Sequence, residues 1–279
     1  MTDIDENHLL GWIGRTEMAE DVIAPRLVRE FLATLDKNGV QPTPGATAPL
    51  AIHWCLSPPT VKASRIGPDG HPMRGDFLPP VALPRRMWAG GGLQFHDKLR
   101  VGDEVRRHST IQNVAVKQGR SGILCFVTVE HKLSTVRGAA LTERHDIVYR
   151  GLGGNAAPKP DPVSLPKAEW TRELKADSTL LFRYSAITFN GHRIHYDRSY
   201  VLEEEGYPGL IVHGPLQATL LLQFAEEING HAPARFEFRS LQPLFDFEAF
   251  RLCARRIAEG VHLWVETPEG KQTMDARAV

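Results

Sequence analysis

Apolar and polar positions follow different rhythms in the two halves of the chain. Leu27, Phe31, Leu32 and Leu35 form a helical stripe. Pro25 suits its first turn and Asn38-Gly39 its end, so a helix is predicted over about 25–37. Residues 41–84 lose this periodicity and are rich in Pro and Gly, with a turn expected at Gly67-Pro68-Asp69-Gly70. Strand patterns then take over at 104–117, 122–134 and 143–150, where β-branched and apolar residues dominate. Gly119 to Gly122 supply the turn between the first two of these strands. The run Gly90-Gly91-Gly92 reads as a flexible or tight loop. It lacks the strand and helix context of a dinucleotide site.

A break falls at residues 151–167, which hold four prolines and three glycines. It predicts an N-terminal half over 1–150, a connector over 151–169 and a C-terminal half over 170–279. In the second half, 182–197 starts strand-like and ends in a polar, His-rich turn, and a short helix is expected around 198–205. The segment 213–230 is the clearest helix. Gly214 can act as N-cap, Pro215 as first helical residue and Asn229-Gly230 as the stop. Leu216, Leu220 and Phe224 recur every four residues, and Leu221, Leu222, Ala225 and Ile228 spread apolar surface around the helix, which predicts burial. Three strands follow at 234–244, 249–259 and 261–267. A buried helix followed by antiparallel strands gives an α+β class, with the sheet wrapped on the helix. No residue-level repeat demonstrates a duplication.

Composition narrows the function classes. Lys plus Arg total 33 and Asp plus Glu total 33, so no broad field for nucleic acid or an anionic membrane is expected. The acidic start MTDIDENHLL is unlike a signal peptide, and the uncharged run Gly206–Ala225 is broken by Pro208, Pro215 and glycines, unlike a membrane span. Cys55, Cys125 and Cys253 are odd in number and far apart, which argues for reduced thiols and a cytoplasmic setting over disulfides or structural zinc.

The chemistry concentrates between Tyr184 and Pro215. Asn190 and His195 share a polar turn. An amide can hold a water, and an imidazole can take its proton near neutral pH. Gly214 opens the apolar helix, where backbone N–H groups at the positive dipole end suit a thioester oxygen gaining charge. His213 stands beside it. Arg86 is a candidate partner for a substrate carboxylate or a CoA phosphate. Each has a plainer reading: a structural histidine, an N-cap glycine, a helix-end packing residue, and half of a solvated Arg85-Arg86 pair. His192 and His195 alone lack a third ligand at metal spacing.

The stretch Asn190-Gly191-His192-Arg193-Ile194-His195-Tyr196-Asp197, with Gly209 to Pro215 after it, resembles the hydratase-2 motif of MaoC-like enoyl-CoA hydratases. The family's catalytic His falls on His195 and its His-Gly on His213-Gly214. Its acid falls on Asn190, and its Asn-Pro pair is replaced by His192-Arg193. The wording is closer to a subgroup with a dehydratase-like first half, which includes mesaconyl-C4-CoA and itaconyl-CoA hydratases. The run 79–95 also resembles the first half of such proteins.

The resemblance implies a double hot-dog, two antiparallel sheets each wrapped on a long helix. It also implies reversible water addition to an enoyl-CoA without a cofactor beyond the CoA of the substrate. Mesaconyl-C4-CoA or itaconyl-CoA would give citramalyl-CoA. Hot-dog sheets pair, so a pseudo-dimer within one chain is implied and a homo-oligomer allowed. Two rival readings remain: a 3-hydroxyacyl-thioester dehydratase of fatty-acid metabolism, and a non-catalytic acyl-CoA-binding hot-dog protein. A cation facing the acyl end favours the diacid, and a long apolar tunnel the fatty acyl chain.

Overall fold

The computed structural model describes residues 4–38, 41–119, 122–151 and 165–279. Most of the expected connector over 151–169 lies outside the described residues. Five strands come from the first half: β1 (Thr16–Val22), β2 (Arg85–Phe95), β3 (Glu104–Gly119), β4 (Gly122–Thr135) and β5 (Gly138–Arg150). Five come from the second: β6 (Trp170–Lys175), β7 (Arg235–Ser240), β8 (Ala249–Ile257), β9 (Gly260–Glu266) and β10 (Gln272–Ala278). They form one ten-stranded sheet in the order β1-β3-β4-β5-β2-β7-β10-β9-β8-β6. Read inward from either edge, each half runs first, third, fourth, fifth, second strand. The repeat absent from the residues is present in the topology. The expected two sheets are thus two half-sheets joined edge to edge, through antiparallel pairing of Gly90–Gln94 with Arg235–Arg239.

The helices are α1 (Glu6–Leu10), α2 (Pro25–Thr34), α3 (Ser178–Ile187), α4 (Arg198–Glu203) and α5 (Gly214–Asn229). Every residue of α5 from Leu216 to Ala225 is buried, and Gly230, at φ 75°, stops the helix in the left-handed conformation. Phe236, Phe250, Leu252, Leu263, Val265 and Met274 pack in the same core. The halves differ on this point: among the described residues, only the second packs a long helix against its strands. By chain order, the place of α5 in the first half is held by a 3-10 turn of four residues, Ile52–Cys55.

Three local expectations are corrected. Residues 182–187 are helical, not strand-like. Asp177 accepts the Leu180 N–H at 2.9 Å and starts α3, whose buried Leu181, Tyr184 and Ser185 follow helical spacing. Gly90-Gly91-Gly92 is no loop but the middle of β2, an interior strand. A Cβ at Gly90 would lie 2.6 Å from the Phe238 carbonyl oxygen, and one at Gly91 2.5 Å from that of Arg144, so glycine permits the close seam. Third, α5 begins one residue early, with His213 as N-cap, Gly214 first and Pro215 second. Among the described residues, no helix is long and apolar enough to cross a membrane. The three cysteines are buried and unbonded.

Candidate active site

A cavity of about 1150 Å³ opens between the N-terminal turn of α5 and the first half-sheet. Asn190, His192, His195 and Gly214 line it from the second half. Arg86, Trp88, His131, Glu143 and His145 line it from strands β2, β4 and β5, and His71 from the loop before β2.

The loop after α3 carries the sequence motif. Phe189, at φ 50°, turns the chain out of the helix, and Arg193–His195 form a 3-10 turn. The His195 Nδ1 donates to the Ile211 carbonyl at 2.7 Å. A carbonyl only accepts, so the proton sits on Nδ1 and Nε2 keeps a lone pair. Burial pushes His195 down to about 4, against the small raising effect of the Ile211 hydrogen bond, so the ring is neutral at pH 7.

His213 stacks on His195 with centroids 3.6 Å apart and planes at 19°. Its Nε2 shares a hydrogen bond of 2.8 Å with the Ser185 hydroxyl. Burial holds it well below its ordinary proton affinity. Expected among the substrate-binding residues, His213 does not line the cavity. It stands behind His195 and fixes the ring's position.

Gly214 follows directly, so the amide end of α5 meets the same space as His195. First-turn N–H groups have no partner inside a helix. A Cβ at Gly214 would come no nearer than 3.4 Å to the Ser240 hydroxyl, ordinary contact, so nothing in the protein itself demands glycine there. Asn190 is partly spent. Its Oδ1 accepts the His192 N–H at 3.0 Å, leaving the amide NH2 for a ligand.

Strand alternation separates the two arginines of β2. Arg85 is buried against Glu205, Nε to Oε2 2.9 Å. Arg86 faces the cavity, and its charge lowers the proton affinity of His71 and His192, though burial is the larger cause for both. Among the described residues, no acidic group lies within ion-pairing distance of Arg86, unlike Arg85.

Several cavity residues escaped the sequence reading. Glu143 is fully enclosed, receives the Trp54 indole N–H at 3.0 Å, and is pushed up to about 7 by burial. His53 and His131 are both pushed down to about 3 by burial. Glu143 and His145 alternate along β5, and His131 faces Glu143 across the ladder. Polar residues at every second position of a predicted strand are the signal that could have exposed this wall. In the 67–71 turn, the Asp69 Oδ2 accepts the His71 Nδ1–H at 2.9 Å. Asp69, His71 and His192 bring ligand-type atoms within 4.8 Å of one another. Asp69 and His71 spend their facing atoms on each other, which makes them a hydrogen-bonded pair.

Comparisons with known proteins fit this geometry. Residues 51–246 match the family model described as hydroxyacyl-thioester dehydratase type 2. The chain is 44% identical over 269 residues to mesaconyl-C(4)-CoA hydratase of Chloroflexus aurantiacus, covering 96% of each. Among solved structures, HtdX of Mycobacterium tuberculosis superimposes with a TM-score of 0.69 at 20% identity, covering 94% of this chain and 98% of that one. A second M. tuberculosis protein, described as having a double hot-dog fold, gives a TM-score of 0.59 at 13% identity, covering 95% of each. The α+β, double hot-dog architecture is thereby established.

Proposed function

The chain belongs to the hydroxyacyl-thioester dehydratase type 2 family, and from that premise we propose that it is a hydro-lyase adding water reversibly to mesaconyl-C4-CoA to give citramalyl-CoA. The observation that carries the chemistry is one shared cavity for the His195 Nε2 and the amide end of α5 at Gly214. The thioester oxygen accepts the Gly214 N–H. His195 takes a proton from water, the oxygen of which bonds to Cβ. The π pair moves toward the thioester oxygen, which the helix end stabilises. The proton on His195 then passes to Cα, and the reaction balances without a metal or redox cofactor. A glycine that the fold does not require suits close approach of the ligand to the backbone.

The diacid rests on Arg86. Mesaconyl-C4-CoA carries its free carboxylate on the carbon that water attacks, so its counter-charge must stand beside the reacting centre. Arg86 lines the same cavity, its charge is felt at His71 and His192, and among the described residues it has no acid of its own. His131, Glu143 and His145 set polar groups into an otherwise largely apolar wall, which suits a short polar acyl group with the apolar arm of CoA. Itaconyl-CoA is a weaker candidate, because the named relative acts on the mesaconyl ester. Three reduced thiols support a cytoplasmic setting.

The test is a panel of enoyl-CoA esters read by the mass gain of one water. Mesaconyl-C4-CoA should turn over fastest. His195→Ala should lose about 10²–10⁴-fold in kcat, and near-normal turnover in that variant rejects the mechanism. Arg86→Met should raise KM for the diacid while sparing crotonyl-CoA. Binding of the CoA esters without turnover in the wild type selects the non-catalytic reading.

A further inference from the structure

A water adding to Cβ directs a lone pair at carbon and two O–H bonds away from it. His195 Nε2 receives one of them. In the motif that this chain resembles, an acid stands at the position of Asn190. Asn190 is a weaker acceptor than that acid, because a neutral amide takes up no proton and one of the two Oδ1 lone pairs already receives the His192 N–H at 3.0 Å. The remaining NH2 only donates. A stronger second acceptor, basic and uncommitted, has to come from elsewhere in the cavity.

The turn at 67–71 offers one. The Asp69 Oδ1 accepts the His71 backbone N–H at 3.0 Å, and its Oδ2 accepts the Nδ1–H at 2.9 Å. With its proton on Nδ1, the His71 Nε2 is a lone pair. A carboxylate behind an imidazole fixes its tautomer and raises its basicity. His71 lines the cavity, while Asp69 stands behind it. Its ring centroid is 4.1 Å from that of His192, which is 5.3 Å from that of His195.

The turn is clamped to the catalytic loop. The Arg193 N–H donates to the Asp69 carbonyl at 2.9 Å, and the Arg193 Nη1 to the Pro68 carbonyl at 3.0 Å. Gly70 and Gly191 meet so closely that a Cβ on Gly70 would lie 1.8 Å from the Gly191 oxygen. A clamp of this kind is more than a surface turn needs, and it sets His71 on the same wall as His195.

We propose that His71, oriented by Asp69, is a catalytic residue that accepts the second hydrogen of the attacking water, the task of the carboxyl missing at Asn190. The inference rests on the hydration reading. The water oxygen bonds to Cβ and one proton goes to His195 Nε2. The other hydrogen stays on the new hydroxyl, held by His71 Nε2 throughout. Asp69 acts through His71 as a positioning residue.

The experiment compares wild type, H71Q, D69N and the double variant H71Q/N190D on mesaconyl-C4-CoA and on crotonyl-CoA, with circular dichroism as a fold control. Loss of the second acceptor should lower kcat about 10²-fold in H71Q on both esters, with KM within about threefold. D69N should lose about tenfold. An aspartate at 190 should restore at least tenfold to the H71Q background, a rescue that a merely structural role would not give. If H71Q does not fold, D69N on the two esters gives the same reading at smaller size.

H71Q turnover within twofold of wild type overturns the proposal. So does a KM rise confined to the diacid, which assigns His71 to carboxylate recognition. Stoichiometric zinc in the purified wild type, lost in H71Q, also overturns it by assigning a metal site. Hydration of crotonyl-CoA but no diacid, with the same His71 dependence, leaves this inference standing and removes the mesaconyl reading. Inactivity of the wild type on both esters removes both.

Discussion

The two halves share one strand order yet cover their inner faces in different ways. The second half fills its face with α5, buried from Leu216 to Ala225. The first half has short 3-10 turns in the corresponding stretch of chain, closes one end of its face with Leu9, Trp12, Val81 and Leu83, and leaves the strip of His131, Glu143 and His145 to the cavity. Helix burial fills the face of one half, and its omission leaves in the other the space proposed above for an acyl thioester. The difference teaches that a duplicated fold can assign packing to one copy and binding to the other while a single sheet holds both.

Paired leucine truncations test that division most severely. Leu221→Ala in α5 should cost about 2–5 kcal/mol in denaturant unfolding, the usual range for a closed core. Leu133→Ala, equally enclosed but on the cavity wall, should cost about 2 kcal/mol or less, because part of its surround is already open. Equal losses would erase the distinction between a packed half and a hollow one.

Acid should act next. His53, His71, His131, His145, His192, His195 and His213 are all held below 6.5, chiefly by burial, and all but His213 line the cavity. Below pH 6.5 the unfolded chain binds protons that the folded chain refuses, so stability falls as pH drops from 6.5 toward 3. The slope is at most about 1.4 kcal/mol per pH unit per histidine. Glu143, raised to about 7, works the other way, since the folded chain holds its proton between 4.5 and 7. Melting temperatures at pH 8, 6 and 5 should decline, and His53→Gln should flatten the decline. A pH-independent melting temperature would contradict the buried neutral wall.

The smallest effect lies in the rate profile. In the proposed mechanism His195 works as a neutral base; burial holds it at about 4, with His71, His192 and His213 beside it and the charge of Arg86 felt at His192. Its base form is lost only as pH falls through about 4. Hydration kcat/KM should therefore change less than about twofold between pH 8 and pH 6. A fall centred near 6.5 would show an ordinary, solvated imidazole.

The sequence made some of this legible and not the rest, for physical reasons. α5 was readable because nearly every face of it is apolar and its ends carry Pro215 and Gly230. β3, β4 and β5 were readable by their length and composition. β1 and β6 were missed because they are the two edges of the sheet and mostly exposed, so no apolar alternation marks them. Asn190, His195 and Gly214 line one cavity as the sequence suggests, because they lie in one local motif. Arg86 was singled out from its charge, but only the alternation of β2 separates it from Arg85. His71 was invisible as chemistry, since the turn at 67–71 was plain while the loop it docks on lies in the other half. The role expected of Asn190 was drawn from its type alone, and its hydrogen bond to His192 redirects its oxygen.

The contact between Gly70 and Gly191 ties the competence of the molecule to a closure across long range in the chain. It joins positions distant along the chain, and such closures form late in folding. On dilution from denaturant, ellipticity should return before turnover does, because the hairpins of either half can assemble while the two loops are still apart. An alanine at Gly191, with its Cβ 2.6 Å from the Gly70 oxygen, should lengthen that lag.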